Sequence, residues 1–180
     1  MQVLKKIVWV ILGIFTCFFV FFFAAKTYTK SHSPEKIAVY QDADFNIKVK
    51  YSSPFKKDRE IFGLLVPYSK VWRTGANEAT TFSTNKDLKF SDGILPAGEY
   101  TLWTIPNKDQ WEIIFNNKNY PWGIRLINRK AYRESVYDVL SVMVNVEKTV
   151  ASVESFTISF SGKSIILMWD MTKLNLPFSY

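Results

Sequence analysis

Between Trp72 and Thr80 the chain reads Trp-Arg-Thr-Gly-Ala-Asn-Glu-Ala-Thr, the densest polar constellation in its 180 residues. Three of these side chains can do chemistry together. The Arg73 guanidinium can bind a carboxylate or phosphate in forked geometry, with Asn77 and Glu78 supplying an amide and a carboxylate close by. Gly75 permits the tight backbone path that would bring all three to one end of a sheet. With a second carboxylate near it, Asp58 or Glu60, Glu78 has the elements of a general acid or base in a carboxylate-dependent hydrolase. Arg59 places a further guanidinium on the same stretch, Pro54 to Phe82. The same residues also have a plainer reading, which the sequence favours. Arg73 and Glu78 neutralise each other, Asn77 caps a turn, and the loop is locked onto its sheet.

A second candidate surface is Asn119-Tyr120-Pro121-Trp122-Gly123, where two aromatics flank a rigid turn. Exposed Tyr120 and Trp122 rings would stack on sugar faces; the plainer alternative is that Trp122 closes the end of a core. With six Trp and nine Tyr in the chain, an isolated aromatic identifies no site.

What is missing narrows the chemistry. Cys17 is the sole cysteine and His32 the sole histidine. Neither a His/Cys zinc site nor a Ser-His-Asp or Cys-His arrangement can be assembled within one chain. No metal and no cofactor is expected. Catalysis, if present, falls to carboxylates, Lys, Tyr, Arg or a carboxylate-bound metal.

The elements that would position these groups repeat with period two. Phe45, Ile47, Val49 and Tyr51 alternate with polar residues, as do Leu140, Val142, Val144 and Val146, and again Phe156, Ile158 and Phe160. Tyr100 to Ile105 and Ile165 to Trp169 are apolar on both faces, as in central strands. Turn signals at Ser53-Pro54, Asp92-Gly93, Pro96-Ala97-Gly98, Pro106-Asn107 and Ser161-Gly162 punctuate the runs. Lys130 to Asp138 and Glu60 to Leu65 each have room for a turn of helix. The expected class is all-β, an antiparallel β-sandwich or jelly-roll-like domain over residues 35–180.

Ahead of it, Ile7 to Ala25 is nineteen residues without a charge. As a helix it reaches roughly 28 Å, close to the hydrocarbon thickness of a bilayer. A cleavable signal has a shorter apolar core and a small-x-small site, whereas Phe23 stands here where a small residue is wanted. The expectation is a single-pass transmembrane signal-anchor (7–25) with the N-terminus cytoplasmic and a polar stalk (26–34). The domain would then be extracytoplasmic, in the periplasm; secretion after signal cleavage is the alternative. Positive charge on the two sides of the segment nearly cancels, so orientation rests on the usual behaviour of one N-terminal anchor.

The formal net charge is +7, with Lys5 and Lys6 ahead of the apolar run. Basic residues such as Lys48, Lys50, Lys56, Lys57, Arg59, Arg125, Arg129, Lys130 and Arg133 are scattered, as on a solvated surface. The sharper reading is attraction to anionic lipid head groups or acidic glycans. Nucleic acid is not expected, because no basic helix or aromatic-basic binding motif is present.

Two long motifs carry a resemblance. Val71-Trp72-Arg73-Thr74-Gly75-Ala76-Asn77-Glu78-Ala79-Thr80 is preceded by Arg59-Glu60-Ile61-Phe62-Gly63 and Val66-Pro67-Tyr68. Leu95-Pro96-Ala97-Gly98-Glu99-Tyr100-Thr101-Leu102-Trp103-Thr104-Ile105-Pro106 follows, then Trp111 to Asn116 and Trp122-Gly123. From about Ser33 to Trp169 the chain resembles the bacterial family catalogued as "domain of unknown function 2911". The family pattern favours glycine where this chain has Asp58, a residue type that also enters left-handed turns. The resemblance implies a secreted or anchored domain and supplies no catalytic residues. The functional expectation is a membrane-tethered, non-catalytic binding or envelope-associated module. Its partners would be the bilayer, through residues 7–25, and a glycan or an envelope protein.

Overall fold

The computed structural model describes residues 2–125, 127–128 and 130–180; Arg129 lies outside the described residues. The chain divides into two compact units, 1–32 and 33–180.

The first unit is helix α1, Gln2–His32. Its apolar stretch, within Lys5–His32, reaches a mean hydropathy of 2.7 and is long enough to cross a membrane or to serve as a signal sequence. Polar side chains inside it turn back on the helix. The Thr16 hydroxyl donates to the Leu12 carbonyl at 2.8 Å, and Thr27 does the same to Phe23 at 2.9 Å. Helical structure continues through residues 27–32, within the span expected as a polar stalk, with the Tyr28 and His32 rings 4.4 Å apart one turn from each other. Pro34 cannot extend the helix, and the residue before it is biased to extended backbone.

The second unit is all-β. Strands β1 (Glu35–Asp42), β2 (Phe45–Ser52), β3 (Thr80–Thr84), β6 (Gly98–Ile105), β7 (Gln110–Asn116), β8 (Asp138–Phe160) and β9 (Ser164–Pro177) form one antiparallel sheet in the order β1-β2-β3-β6-β7-β8-β9. Between them β4 (Leu88–Phe90) and β5 (Gly93–Leu95) make a separate two-stranded hairpin. The seven strands form one curled sheet over their core. Beyond β2 the chain meets the middle of β8: Phe55 bridges Ser155, and the Tyr51 hydroxyl accepts from the Ile158 amide at 2.9 Å.

The period-two residues point into this curl. Phe45, Ile47, Val49 and Tyr51 of β2 are buried with Phe82, Leu102, Trp111, Ile113, Phe115, Val142, Phe156, Leu167 and Trp169. Two runs read from the sequence as separate strands, 140–146 and 156–160, are the two halves of β8. The first half pairs with β7 and the second with β9, with register shifts between Lys148 and Thr157. β6 is central, as its two apolar faces require. β9 instead ends the strand order, although Ile165, Ile166 and Leu167 are all buried. Residues 135–137 make a short 3-10 turn, within the window expected for one. Glu60 to Leu65 is not helical. The Val66 amide reaches the Ile61 carbonyl at 2.8 Å and Gly63 adopts φ +100°, which an α-helix excludes.

β6 and β7 also bury side chains on their outer face. Trp103 and Ile114, direct cross-strand partners, pack with Ala79 and Tyr120 in a second small core. The segment after β7 folds over them, and Gly123 lies so close that a Cβ there would sit 2.7 Å from the Trp103 ring.

Candidate functional site

Trp72 fastens the candidate loop to the sheet. It exchanges two backbone hydrogen bonds with Thr104, at 2.7 and 2.9 Å, taking a place beside β6 just beyond the end of the β3 ladder. Its indole stacks on Trp169 (5.9 Å between centroids, 18° between planes) and meets Phe62, Trp111 and Phe156 edge-on. The indole N–H donates to the Gly75 carbonyl at 3.0 Å. This ring is part of the core.

The next residues turn inward. Thr74 is fully buried, with its hydroxyl 3.3 Å from that of Thr104 and its carbonyl accepting from the Thr80 hydroxyl at 2.7 Å. The Ala76 amide donates to the Ser52 carbonyl at 3.2 Å. Gly75, at φ +153°, passes so near β2 that a Cβ would lie 2.8 Å from the Ser52 carbonyl oxygen. Thr74 and Asn77 both take left-handed backbone, at φ +55° and +56°. The tight path expected of Gly75 is therefore present, and it closes against Ser52.

Arg73, Asn77 and Glu78 are half-buried at the rim of this turn. Arg73 Nη1 donates to the Trp122 carbonyl at 3.2 Å. Burial pushes the Arg73 guanidinium below its ordinary basicity, and the Glu78 charge partly restores it. The Ser52 hydroxyl donates to Glu78 Oε2 at 3.4 Å, and Asn77 Nδ2 donates to the Ser33 carbonyl at 3.4 Å. Arg73 and Glu78 thus feel each other electrostatically, and both are tied to neighbouring backbone or hydroxyls.

The other candidates have contacts of their own. Arg59 is exposed and folds back on its own turn, donating to the Lys56 carbonyl at 2.9 Å and to the Phe55 carbonyl. Asp58 and Glu60 are exposed on that turn, Asp58 at φ +56° where the resemblance expected glycine. Two backbone amides of this turn reach Glu154 of β8, the Lys56 amide bonding its carbonyl at 2.6 Å and the Lys57 amide its carboxylate at 3.0 Å. Tyr120 is 9% exposed, edge-on to Trp103, and its hydroxyl accepts from the Glu134 amide at 2.9 Å. It offers no platform to a sugar. Trp122 is 46% exposed, and its carbonyl receives Arg73.

Sequence reasoning passed over two polar clusters. Lys56 Nζ lies 2.5 Å from Asp170 Oδ1 and 3.2 Å from Ser152 Oγ, and Ser152 also donates to Asp170. Arg133 pairs with Asp138 at 2.9 Å, and Asp138 accepts from Asn116 at 2.7 Å. The first cluster joins partners 96 and 114 residues apart, a distance at which sequence carries no signal. A cleft of about 310 Å³ also opens on the outer face of β2, β3 and β6, lined by Lys48, Lys50, Thr81, Ser83, Glu99 and Asn119 among others. Among the described residues, no group of three or more His, Cys, Asp or Glu side chains is placed to hold a metal ion.

Compared with known proteins, residues 33–178 match the family model described as "Protein of unknown function (DUF2911)". No curated protein and no solved structure matches the chain.

Proposed function

We propose that this chain, which belongs to the DUF2911 family of proteins of unknown function, is a membrane-tethered, extracytoplasmic binding module. In this reading the Trp72–Thr80 loop is a structural lock, and recognition of an envelope glycan or protein occurs on the domain surface. The observation that carries it is the destination of the loop's polar groups. Arg73, Thr74, Ala76, Asn77 and Glu78 are directed to Trp122, Thr104, Ser52 and Ser33 of the same domain. Helix α1 supports the tether: it is long and apolar enough to span a bilayer, and the Thr16 and Thr27 hydroxyls are satisfied within the helix.

The test uses the full chain expressed in a bacterial host. Retention in the membrane pellet after alkaline carbonate, with digestion of the domain by protease added to spheroplasts, is the expected result. Release of a shortened soluble protein would replace the tether by a cleaved signal. Protection from external protease would reverse the orientation. Turnover of an envelope glycan or ester by the wild type, abolished in Glu78→Gln, would replace the lock by a catalytic role.

A further inference from the structure

The outer face of β1–β3 carries a pattern that the core does not explain. Ile37 and Val39 point outward from β1 and are 52% and 57% exposed. Their direct cross-strand partners on β2 are Lys50 and Lys48, whose own partners on β3 are Thr81 and Ser83. Two parallel rows, Ile37-Lys50-Thr81 and Val39-Lys48-Ser83, therefore run across three strands in the sequence apolar, cationic, hydroxyl. The cleft of about 310 Å³ begins at the lysines and extends over the hydroxyls toward Asn119.

The charges facing this surface are few. Lys50 pairs with Glu35 at 3.1 Å, but both side chains are 40–50% exposed, so the pair is weak and exchangeable. Lys48 has no ion-pair partner among the described residues. Glu99 borders the far side, and Lys118 is already neutralised by Glu134. The aromatic residues among those lining the cleft, Phe82 and Tyr100, are buried at 1% and 7% exposure and present no open ring face. A neutral sugar would find no stacking surface here, whereas a phosphate would find an ammonium and hydroxyl donors.

We propose that this face docks on an anionic bilayer surface, with Ile37 and Val39 entering the interfacial region while Lys48, Lys50, Thr81 and Ser83 hold head-group phosphates. The proposal rests on the tethered reading above. That reading supplies the proximity: only residues 33 and 34 of the chain link the end of α1 at His32 to the start of β1 at Glu35. Exposed β-branched side chains beside lysines suit a surface that is oily beneath and negatively charged above.

The test places the full chain in nanodiscs of phosphatidylcholine alone or enriched in phosphatidylglycerol, and reads hydrogen exchange of residues 35–41. Protection in the anionic discs alone, lost in Lys48→Ala/Lys50→Ala and in Ile37→Ser/Val39→Ser but kept in Lys108→Ala, is the expected result. Equal exchange in the two lipids, or equal loss in Lys108→Ala, overturns it. Residues 33–180 contain the whole core, so the same domain without α1 is tested on vesicles of both lipids. There its affinity for anionic vesicles should fall about fivefold for each lysine removed. Circular dichroism of each variant confirms that the fold is kept. If the carbonate test rejects the tether while the isolated domain still needs Lys48 and Lys50 for anionic vesicles, the docking face stands. If the tether holds and the lysines do not matter, the docking face is wrong.

Discussion

Arg73 Nη1 and the Trp122 carbonyl oxygen lie 3.2 Å apart, so the two stretches that looked like separate surfaces are joined by one hydrogen bond. The bond ties the loop ahead of β3 to the segment that covers Trp103, and Glu78 supplies the charge that lets a desolvated guanidinium stay there. Glu78→Gln should lower stability by about 1–3 kcal/mol, because Arg73 loses its compensating charge. Arg73→Ala should cost a similar amount, and the double variant clearly less than the sum. Urea unfolding of residues 33–180 in all four forms checks this, and strict additivity would reject the coupling.

Gly75→Ala tests the close approach to β2. The new methyl group meets the Ser52 carbonyl, a backbone atom that cannot swing aside, and φ +153° is strained for any L side chain. A loss of about 1–3 kcal/mol is expected, seen as a lower melting temperature.

Tyr120 and Trp122, neighbours in sequence, should respond differently. Tyr120→Phe leaves the Glu134 amide without its acceptor and should cost about 1 kcal/mol. Trp122→Ala removes a side chain that is 46% exposed and leaves the carbonyl used by Arg73 in place. It should change stability by less than about 0.5 kcal/mol. Thermal denaturation of the two variants side by side decides whether this turn is core or surface.

Asp170 predicts an acid limb. Burial raises its pKa, but the hydrogen bonds from Lys56 and Ser152 and the Lys56 charge outweigh that, and the carboxyl sits below its ordinary value. A folded pKa below the unfolded one stabilises the fold fully above the unfolded value, about 3.9. That contribution is lost as pH falls through the folded value. Asp170→Asn, which keeps the left-handed backbone at φ +52° accessible, should be less stable than wild type at neutral pH. The two should converge as the carboxylate protonates. Urea midpoints across pH 2–7 measure it.

Much of the sheet was legible because a half-buried strand repeats every two residues, as Phe45 to Tyr51 do. β8 was split in the reading because it changes sheet partner midway, and the register shifts after Lys148 interrupt the alternation. Ile165 to Trp169 read as central because all-round apolarity reports burial, which this terminal strand has without a second ladder partner. Glu60 to Leu65 failed as a helix at Gly63. The candidate loop was recognisable as structured, since Gly75 and the polar cluster required a tight path. Its partners were not, because Ser52, Thr104 and Trp122 are distant in sequence. Tyr120 looked exposed for the same reason: nothing local says that the segment after β7 folds over Trp103. Lys48 and Lys50 looked like scattered charge until cross-strand register set them beside Ile37 and Val39.

The contact between Tyr51 and Ile158 bridges 107 residues of chain. Drawing such distant segments together is entropically costly before any contact rewards it, and folds dominated by such pairings form slowly. The β6–β7–β8 meander joins strands close in sequence and can zip first. The junction at Phe55 and Ser155 must come late, since it needs both ends of the curl in place. Until it forms, Trp72 and Trp169, which pack with Phe156, have no enclosed interior, so the slowest refolding phase should be the one that quenches or shifts their indole emission. Substitutions at that junction should then mainly speed unfolding and leave the early phase unchanged.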